Sequence, residues 1–178
     1  MPRLPFSVST VAESHEALLA IESASDGHPI AATAAQVVNV SPARLWEIVS
    51  DPVRFTKRLP MIDRVSIDGD RVKLELRFKV ALFSFGFRVD CISKKEEGKS
   101  LELVYVSGEP RNTTIRFDIE PIENGTKSVL FAHNGFDIFS LGWLVKTFLK
   151  HHPEIRYGVY PGSALSLLDA LKRTAEER

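Results

Sequence analysis

Apolar and charged residues alternate without interruption from residue 71 to residue 80, which is the pattern of a β-strand with one buried face. Similar alternation covers residues 85–91 and 113–119, and further strands are predicted near residues 62–67, 101–106 and 127–134. Turn sequences that contain glycine separate these segments, as in Asp68-Gly69-Asp70 and Asn124-Gly125. The pattern therefore predicts a series of antiparallel strands with one apolar face and one polar face.

Two short helices are predicted directly after an earlier strand that ends near Val40. Ser41-Pro42 supplies a side-chain oxygen for an N-cap and a proline for the first helical position. Asp51-Pro52 repeats the same signal, so a second helix follows the first almost at once. This second helix is expected to carry Phe55 and Leu59 and to end before Pro60.

The C-terminal third of the chain is predicted to be helical. Apolar residues recur at helical spacing from residue 141 to residue 149, and a longer helix with Leu165, Leu168 and Leu171 follows. Pro161-Gly162 is expected to break or kink that longer helix.

The N-terminal segment departs from this regular order. Residues 17–24 and 30–40 indicate a hairpin added to the sheet, although residues 13–21 could instead form a helix. We therefore divide the chain into an N-terminal extension, residues 1–30, and a ligand-binding domain, residues 31–178.

The strand followed by two capped helices resembles the START-like superfamily, also called the Bet v 1-like or SRPBCC superfamily. The residues that carry the resemblance are Val40, Ser41-Pro42, Trp46, Asp51-Pro52, Phe55 and Leu59-Pro60. Polyketide cyclases/dehydrases and coenzyme Q-binding proteins are the members it is nearest to. The resemblance implies an α+β helix-grip fold: a curved antiparallel sheet, two short helices after the first strand, and a long C-terminal helix that closes a hydrophobic cavity. It implies a fold and not a particular ligand, because proteins of one fold serve many functions.

Composition excludes several other classes of function. The 23 Lys and Arg residues balance the 23 Asp and Glu residues, so no global field attracts nucleic acid. The single Cys91 excludes an internal disulfide and fits a reducing compartment. No signal-peptide pattern is visible, and no apolar run reaches the roughly 18 residues of a membrane span. We therefore expect a cytoplasmic protein; its oligomeric state does not follow from the sequence.

Small residues in the C-terminal helix predict an apolar cavity above the sheet. Gly158, Gly162, Ser163 and Ala164 would leave room beside a sheet rich in phenylalanine. The alternative is that these phenylalanines form a solid core. The candidate ligand-binding residues are Phe78, Phe85, Phe87, Tyr105, Phe117, Phe131, His133, Tyr157, Tyr160 and Leu165. No cofactor is expected, and His151, His152 and Glu154 lack a further partner at metal-ligand spacing.

Signals for catalysis are few. His133 is a candidate acid or base, but it faces the cavity only if Val129 and Phe131 do, and the alternative phase points Leu130 and Ala132 inward. The sequence has no G-x-S-x-G motif, no P-loop and no dinucleotide fingerprint.

We therefore predict a carrier or receptor for a hydrophobic small molecule: a lipid, an isoprenoid or quinone, or a polyketide-like compound. The alternatives are a cyclase- or aromatase-like enzyme that uses the same pocket, and a module that binds another protein. The apolar stripe from Leu141 to Leu149 could also touch a membrane transiently, with Trp143 and the cations Lys146, Lys150 and Arg156 nearby, although packing against the sheet explains it more simply.

Overall fold

One antiparallel sheet of eight strands organises the part of the chain that the structure describes. The computed structural model describes residues 4–59, 61–80 and 83–177, without the side chains of residues 78–80 and 83. The strands are β1 (Leu18–Ser23), β2 (Pro29–Val38), β3 (Ile62–Asp68), β4 (Arg71–Val80), β5 (Phe83–Glu96), β6 (Ser100–Gly108), β7 (Arg111–Ile122) and β8 (Lys127–Asp137). The helices are α1 (Val8–Glu13), α2 (Pro42–Val49), α3 (Pro52–Thr56), α4 (Trp143–His151) and α5 (Ile155–Glu176).

The strands lie in the order β1-β2-β8-β7-β6-β5-β4-β3. Strands β3 to β8 follow one another as a meander, and β8 returns to pair with β2, with Thr33 opposite His133. Strand β1 pairs with β2 at one edge of the sheet, so residues 13–21 do not form the alternative helix. The division of the chain at residue 30 stays a prediction.

The two helices after β2 begin where the sequence predicts. The Ser41 side chain accepts a hydrogen bond from the Arg44 backbone N–H at 3.3 Å, and Asp51 Oδ1 accepts one from the Val53 N–H at 3.1 Å. Two details differ from the prediction. Strand β2 ends before Val40, and α3 ends at Thr56, so Leu59 is buried in the segment that follows the helix.

The two faces of the sheet have separate apolar cores, and we call the side that carries α5 the helix face. Leu130 and Ala132 of β8 belong to the core of the helix face. Val129 and Phe131 belong to a smaller core on the opposite face, where Val11 of α1 covers them. Since side chains alternate along a strand, His133 shares the face of Phe131 and points away from α5.

Helix α5 packs mainly across β2 and β8. Tyr160, Ala164, Leu168 and Leu171 are buried on the side of α5 that meets the sheet. The break expected at Pro161-Gly162 does not occur, because α5 continues through Pro161. Packing of the buried residues around Pro161 compensates for the one backbone hydrogen bond that proline removes.

Candidate ligand-binding cavity

Because α5 covers one half of the sheet, a gap remains on the helix face above the other half. The gap contains two adjoining cavities, of about 330 Å³ and about 380 Å³. We call the first the outer cavity and the second the inner cavity. Phe136 and Val159 line both of them, so these two side chains form the boundary between the cavities.

Every described side chain that lines the outer cavity is apolar. Its walls are formed by Phe85, Phe87, Phe136, Ile138, Leu141, Leu144, Val145, Phe148, Leu149, Ile155 and Val159. Helix α4 contributes four of these residues, and two of them, Leu144 and Phe148, are 44% and 37% exposed, so the cavity is partly open to solvent on this side. Gly142 has a φ of 93°, a conformation that favours glycine, and it turns the chain from β8 into α4.

The inner cavity lies between the strands β3 to β5 and one flank of α5. Leu74, Leu76 and Val89 provide apolar walls from the strands. Gly158 and Gly162 line it from α5, and a Cβ atom placed at either glycine would meet no atom within 4 Å. Both glycines are exposed, so they lie where this cavity opens to solvent, whereas Ala164 is part of the solid core.

The few polar groups of the inner cavity are uncharged. Asn134 Nδ2 donates to Ser163 Oγ at 2.5 Å, and the Ser163 hydroxyl donates to the Tyr160 carbonyl oxygen at 2.9 Å. The Thr113 hydroxyl donates to the Pro110 carbonyl oxygen at 2.7 Å, and the Ser166 hydroxyl donates to the Gly162 carbonyl oxygen at 2.8 Å. No ionisable side chain among the described residues lines either cavity.

Two of the predicted ligand-binding residues, Phe85 and Phe87, line the outer cavity. Tyr160 lies beside it, where its hydroxyl donates to the Phe136 carbonyl oxygen at 2.9 Å. Burial raises the pKa of the Tyr160 hydroxyl, so it stays protonated as a donor. The predicted residue Phe78 belongs to β4, but its side chain lies outside the described part of the structure.

Other predicted residues lie in the solid core or on the surface. Phe117 is 0% exposed and packs edge-on against Phe55, with the ring centroids 5.5 Å apart. The Tyr105 hydroxyl donates to the Gly108 carbonyl oxygen at 3.0 Å within its own strand. Tyr157 and Leu165 are 52% and 37% exposed, and neither lines a cavity.

Phe131 and His133 lie on the opposite face of the sheet, away from both cavities. His133 Nδ1 is 3.1 Å from Thr33 Oγ1 and 3.7 Å from Glu22 Oε1. Burial lowers the pKa of His133, and Arg116 lowers it further, while Glu22 raises it. Of the two alternatives that the sequence allows for β8, the structure has the one in which Leu130 and Ala132 lie on the helix face and His133 does not.

A separate hollow of about 510 Å³ adjoins His133, and polar and charged groups such as Glu22 and His28 line it. No cluster of metal-ligating side chains is found in the described ranges. Cys91 is buried, and burial together with the charge of Asp90 raises its pKa to about 11. A neutral, buried thiol is a poor nucleophile.

Sequence reasoning did not select most of the outer cavity. From the sequence, Phe136 is one of several phenylalanines near the predicted strands, and Phe148 is part of an apolar helical stripe; neither is marked as a cavity residue. The stripe from Leu141 to Leu149 was a usable signal, since a helix that precedes α5 must cover some part of the sheet. Which part it covers depends on the turn at Gly142.

Comparisons of structure, but not of sequence, find similar proteins. No protein-family model matches the sequence, and no curated protein is significantly similar to it. A START superfamily protein from Mycobacterium smegmatis has a TM-score of 0.58 and 16% identity, with 83% of this chain and 97% of that chain covered. The Zhui aromatase/cyclase from Streptomyces sp. R1128 has a TM-score of 0.56 and 11% identity, with coverage of 82% and 93%. A conserved protein from Geobacillus kaustophilus has a TM-score of 0.59 and 12% identity, with coverage of 80% and 93%.

Identities this low establish the fold alone. The chain has the α+β helix-grip fold of these structures: two short helices follow β2, and a long C-terminal helix packs on the antiparallel sheet. The predicted fold class is therefore confirmed. Proteins with this fold typically bind hydrophobic ligands. None of the described helices is both long enough and apolar enough to span a membrane.

Proposed function

We propose that the protein binds an uncharged hydrophobic small molecule in the outer and inner cavities, as a carrier or receptor. The observation that carries this proposal is that every described residue lining the outer cavity is apolar. Ligand sites in proteins are mostly apolar hollows of about 300–1,000 Å³ with a few polar groups, and both cavities fit that description. Lipids, isoprenoids or quinones, and polyketide-like compounds are the proposed classes of ligand.

The cost of an empty cavity supports the same proposal. Apolar walls that stay exposed to water forgo the stabilisation that burial would give them, roughly 25 cal/mol per Å² of apolar surface. An apolar ligand would remove this cost by filling the space and by supplying dispersion contacts to the aromatic rings.

The lining supports binding rather than acid–base catalysis. A general acid or base needs a titratable group within hydrogen-bond reach of the substrate, and no described residue of either cavity has one. His133 lies on the opposite face of the sheet. We therefore do not extend the aromatase/cyclase activity of the Streptomyces structure to this chain. All described cavity residues fall within residues 31–178, which we propose as the ligand-binding domain. We also propose that the protein is cytoplasmic.

The first test is to identify what the purified protein carries. The protein is denatured, any released small molecule is identified by mass spectrometry, and that compound is added back in a thermal-unfolding assay. At 100 times its dissociation constant, a ligand should add about 2.7 kcal/mol of stability, which corresponds to roughly 5–10 °C for a chain of this size. No released compound, together with no shift across a panel of lipids, quinones and polyketides, would argue for a protein-interaction module.

Two substitutions at one position test the site itself. Gly162→Leu should narrow the opening of the inner cavity and reduce the shift, because Gly162 lines this cavity at an exposed position where a Cβ atom would meet nothing within 4 Å. Gly162→Ala is the matched control. It adds one methyl group, should retain binding, and should stabilise the helix by up to about 1 kcal/mol. Wild-type binding by folded Gly162→Leu would place the ligand elsewhere.

A further inference from the structure

Asn134 is a buried polar residue in the otherwise apolar surroundings of the inner cavity. It belongs to β8, lines the cavity, and is 5% exposed. Burial of an amide is costly unless its hydrogen-bonding groups are paired, so such a residue needs a partner for each of its polar atoms. Its Nδ2 is paired with Ser163 Oγ. No hydrogen bond to its Oδ1 is found among the described residues.

The hydrogen bonds of Ser163 determine the orientation of this amide. The Ser163 hydroxyl gives its proton to the Tyr160 carbonyl oxygen, so Ser163 Oγ is left as an acceptor for its second neighbour. The Asn134 amide must therefore present Nδ2 to Ser163, and a flipped amide would bring two acceptor oxygens together. As a result, Asn134 offers Oδ1 and one remaining N–H to a ligand.

The other two hydroxyls of the cavity also donate to the backbone. Thr113 and Ser166 donate to the carbonyl oxygens of Pro110 and Gly162, so each is left to present an acceptor oxygen. The inner cavity thus contains several acceptors, the one remaining N–H of Asn134 and no cation among its described residues. A hydroxyl group can donate to these acceptors and also accept from that N–H, whereas a carboxylate has no proton to donate and would lose its hydration without an opposite charge.

We propose that Asn134 Oδ1 accepts a hydrogen bond from a hydroxyl group of the ligand, and that the apolar remainder of the ligand extends past Phe136 into the outer cavity. This inference rests on the proposed function, and it narrows the ligand to an uncharged hydrophobic alcohol or phenol. Ser163 is a positioning residue, because it acts on the ligand only by orienting the Asn134 amide.

The experiment compares three straight-chain probes of similar length that differ in the head group: 1-decanol, decyl methyl ether and decanoate. Isothermal titration calorimetry measures the affinity of each probe for the full-length protein. Decanol should bind about tenfold more tightly than the ether, which cannot donate, and decanoate should bind more weakly than decanol. In Asn134→Leu, the affinity for decanol should fall about tenfold, while the ether should bind as it does to the wild type.

Two further variants complete the experiment. Ser163→Ala frees the amide to rotate and should reduce the preference for decanol over the ether, and it remains informative if Asn134→Leu does not fold. Asn39→Leu is the matched control, since Asn39 lies at the surface, where it donates to Glu176, and does not line either cavity. It should leave all three affinities unchanged.

The outcomes separate this inference from the proposed function. Equal affinity for decanol and the ether, a decanol preference that survives in Asn134→Leu, or tightest binding of decanoate would overturn the role of Asn134 and leave the cavity as the binding site. Failure of all three probes to bind the wild type would overturn the proposed function, and the inference with it.

Discussion

Tyr160 contacts Phe136 in two ways, through a hydrogen bond to its backbone and through a contact between the two rings. The Tyr160 hydroxyl donates to the Phe136 carbonyl oxygen at 2.9 Å, and the two ring centroids are 4.9 Å apart. The contact links α5 to the end of β8. Because Phe136 lines both cavities, Tyr160 stabilises the side chain that separates them.

Tyr160→Phe removes this hydrogen bond and keeps the ring contact. We expect the free energy of unfolding to fall by about 1 kcal/mol, with a weaker affinity for any ligand that contacts Phe136. Urea denaturation measures the first effect. Tyr157→Phe is the control. Because Tyr157 is exposed, this substitution should change the free energy of unfolding by no more than about 0.5 kcal/mol. An equal loss in both variants would contradict a specific role for the Tyr160 hydroxyl.

Phe117 and Phe85 should differ in what they stabilise. Phe117→Ala should lower the free energy of unfolding by about 3–5 kcal/mol, because it removes a fully buried ring that packs against Phe55. Phe85→Ala should cost less stability but weaken ligand binding, because Phe85 is partly exposed and lines the outer cavity. Denaturation and ligand titration on both variants check this. A greater loss of stability in Phe85→Ala would mean that the outer cavity is part of the solid core.

His133 should make stability depend on pH. Burial lowers its folded-state pKa below the ordinary value of 6.5, so the unfolded chain binds a proton more readily than the folded protein does. The contribution of neutral His133 to the free energy of unfolding should therefore be fully present above pH 6.5. It should be lost as the pH drops from 6.5 through the folded-state pKa. Denaturation from about pH 8 to about pH 5 measures this slope.

His133→Gln is the test of that assignment. Glutamine cannot be protonated in this range, so the variant should lose the part of the slope that His133 contributes. The neighbouring charges of Glu22, Arg116 and Asp118 remain in the variant as a constant background. A slope that is unchanged in His133→Gln would assign the pH dependence to another group.

Trp143 provides a test of membrane contact, which stays a prediction. It is 72% exposed on α4, and residues 138–153 contain Lys146 and Lys150 but no acidic residue. Vesicles with anionic lipids should therefore bind the protein weakly, and salt should reduce the binding. Trp143→Ser should lower the bound fraction in co-sedimentation, and Ile67→Ser, at an exposed apolar position on β3, should not. Equal binding of the two variants would contradict contact through α4.

Local signals predicted most of the fold. The caps at Ser41 and Asp51, with the prolines that follow them, define the start of α2 and α3 from neighbouring residues alone. Alternation in β4 determines which side chains are buried, since the period of a strand assigns every second residue to one face. At Pro161 the expected break did not occur, because the packing of α5 against the sheet outweighs the lost hydrogen bond.

The sequence by itself determined which segments form most of the strands, where the two capped helices begin, and where α5 carries small residues. The tertiary structure alone decided which phenylalanines line a cavity. Phe85 and Phe117 both lie on alternating strands, yet one faces the outer cavity and the other packs against Phe55. It also decided that His133 points away from α5, because β8 is apolar in both phases and only the position of its neighbours selects a face. Alternation assigns a side chain to a face of the sheet, but long-range packing determines whether a helix covers that face tightly or leaves room for a ligand.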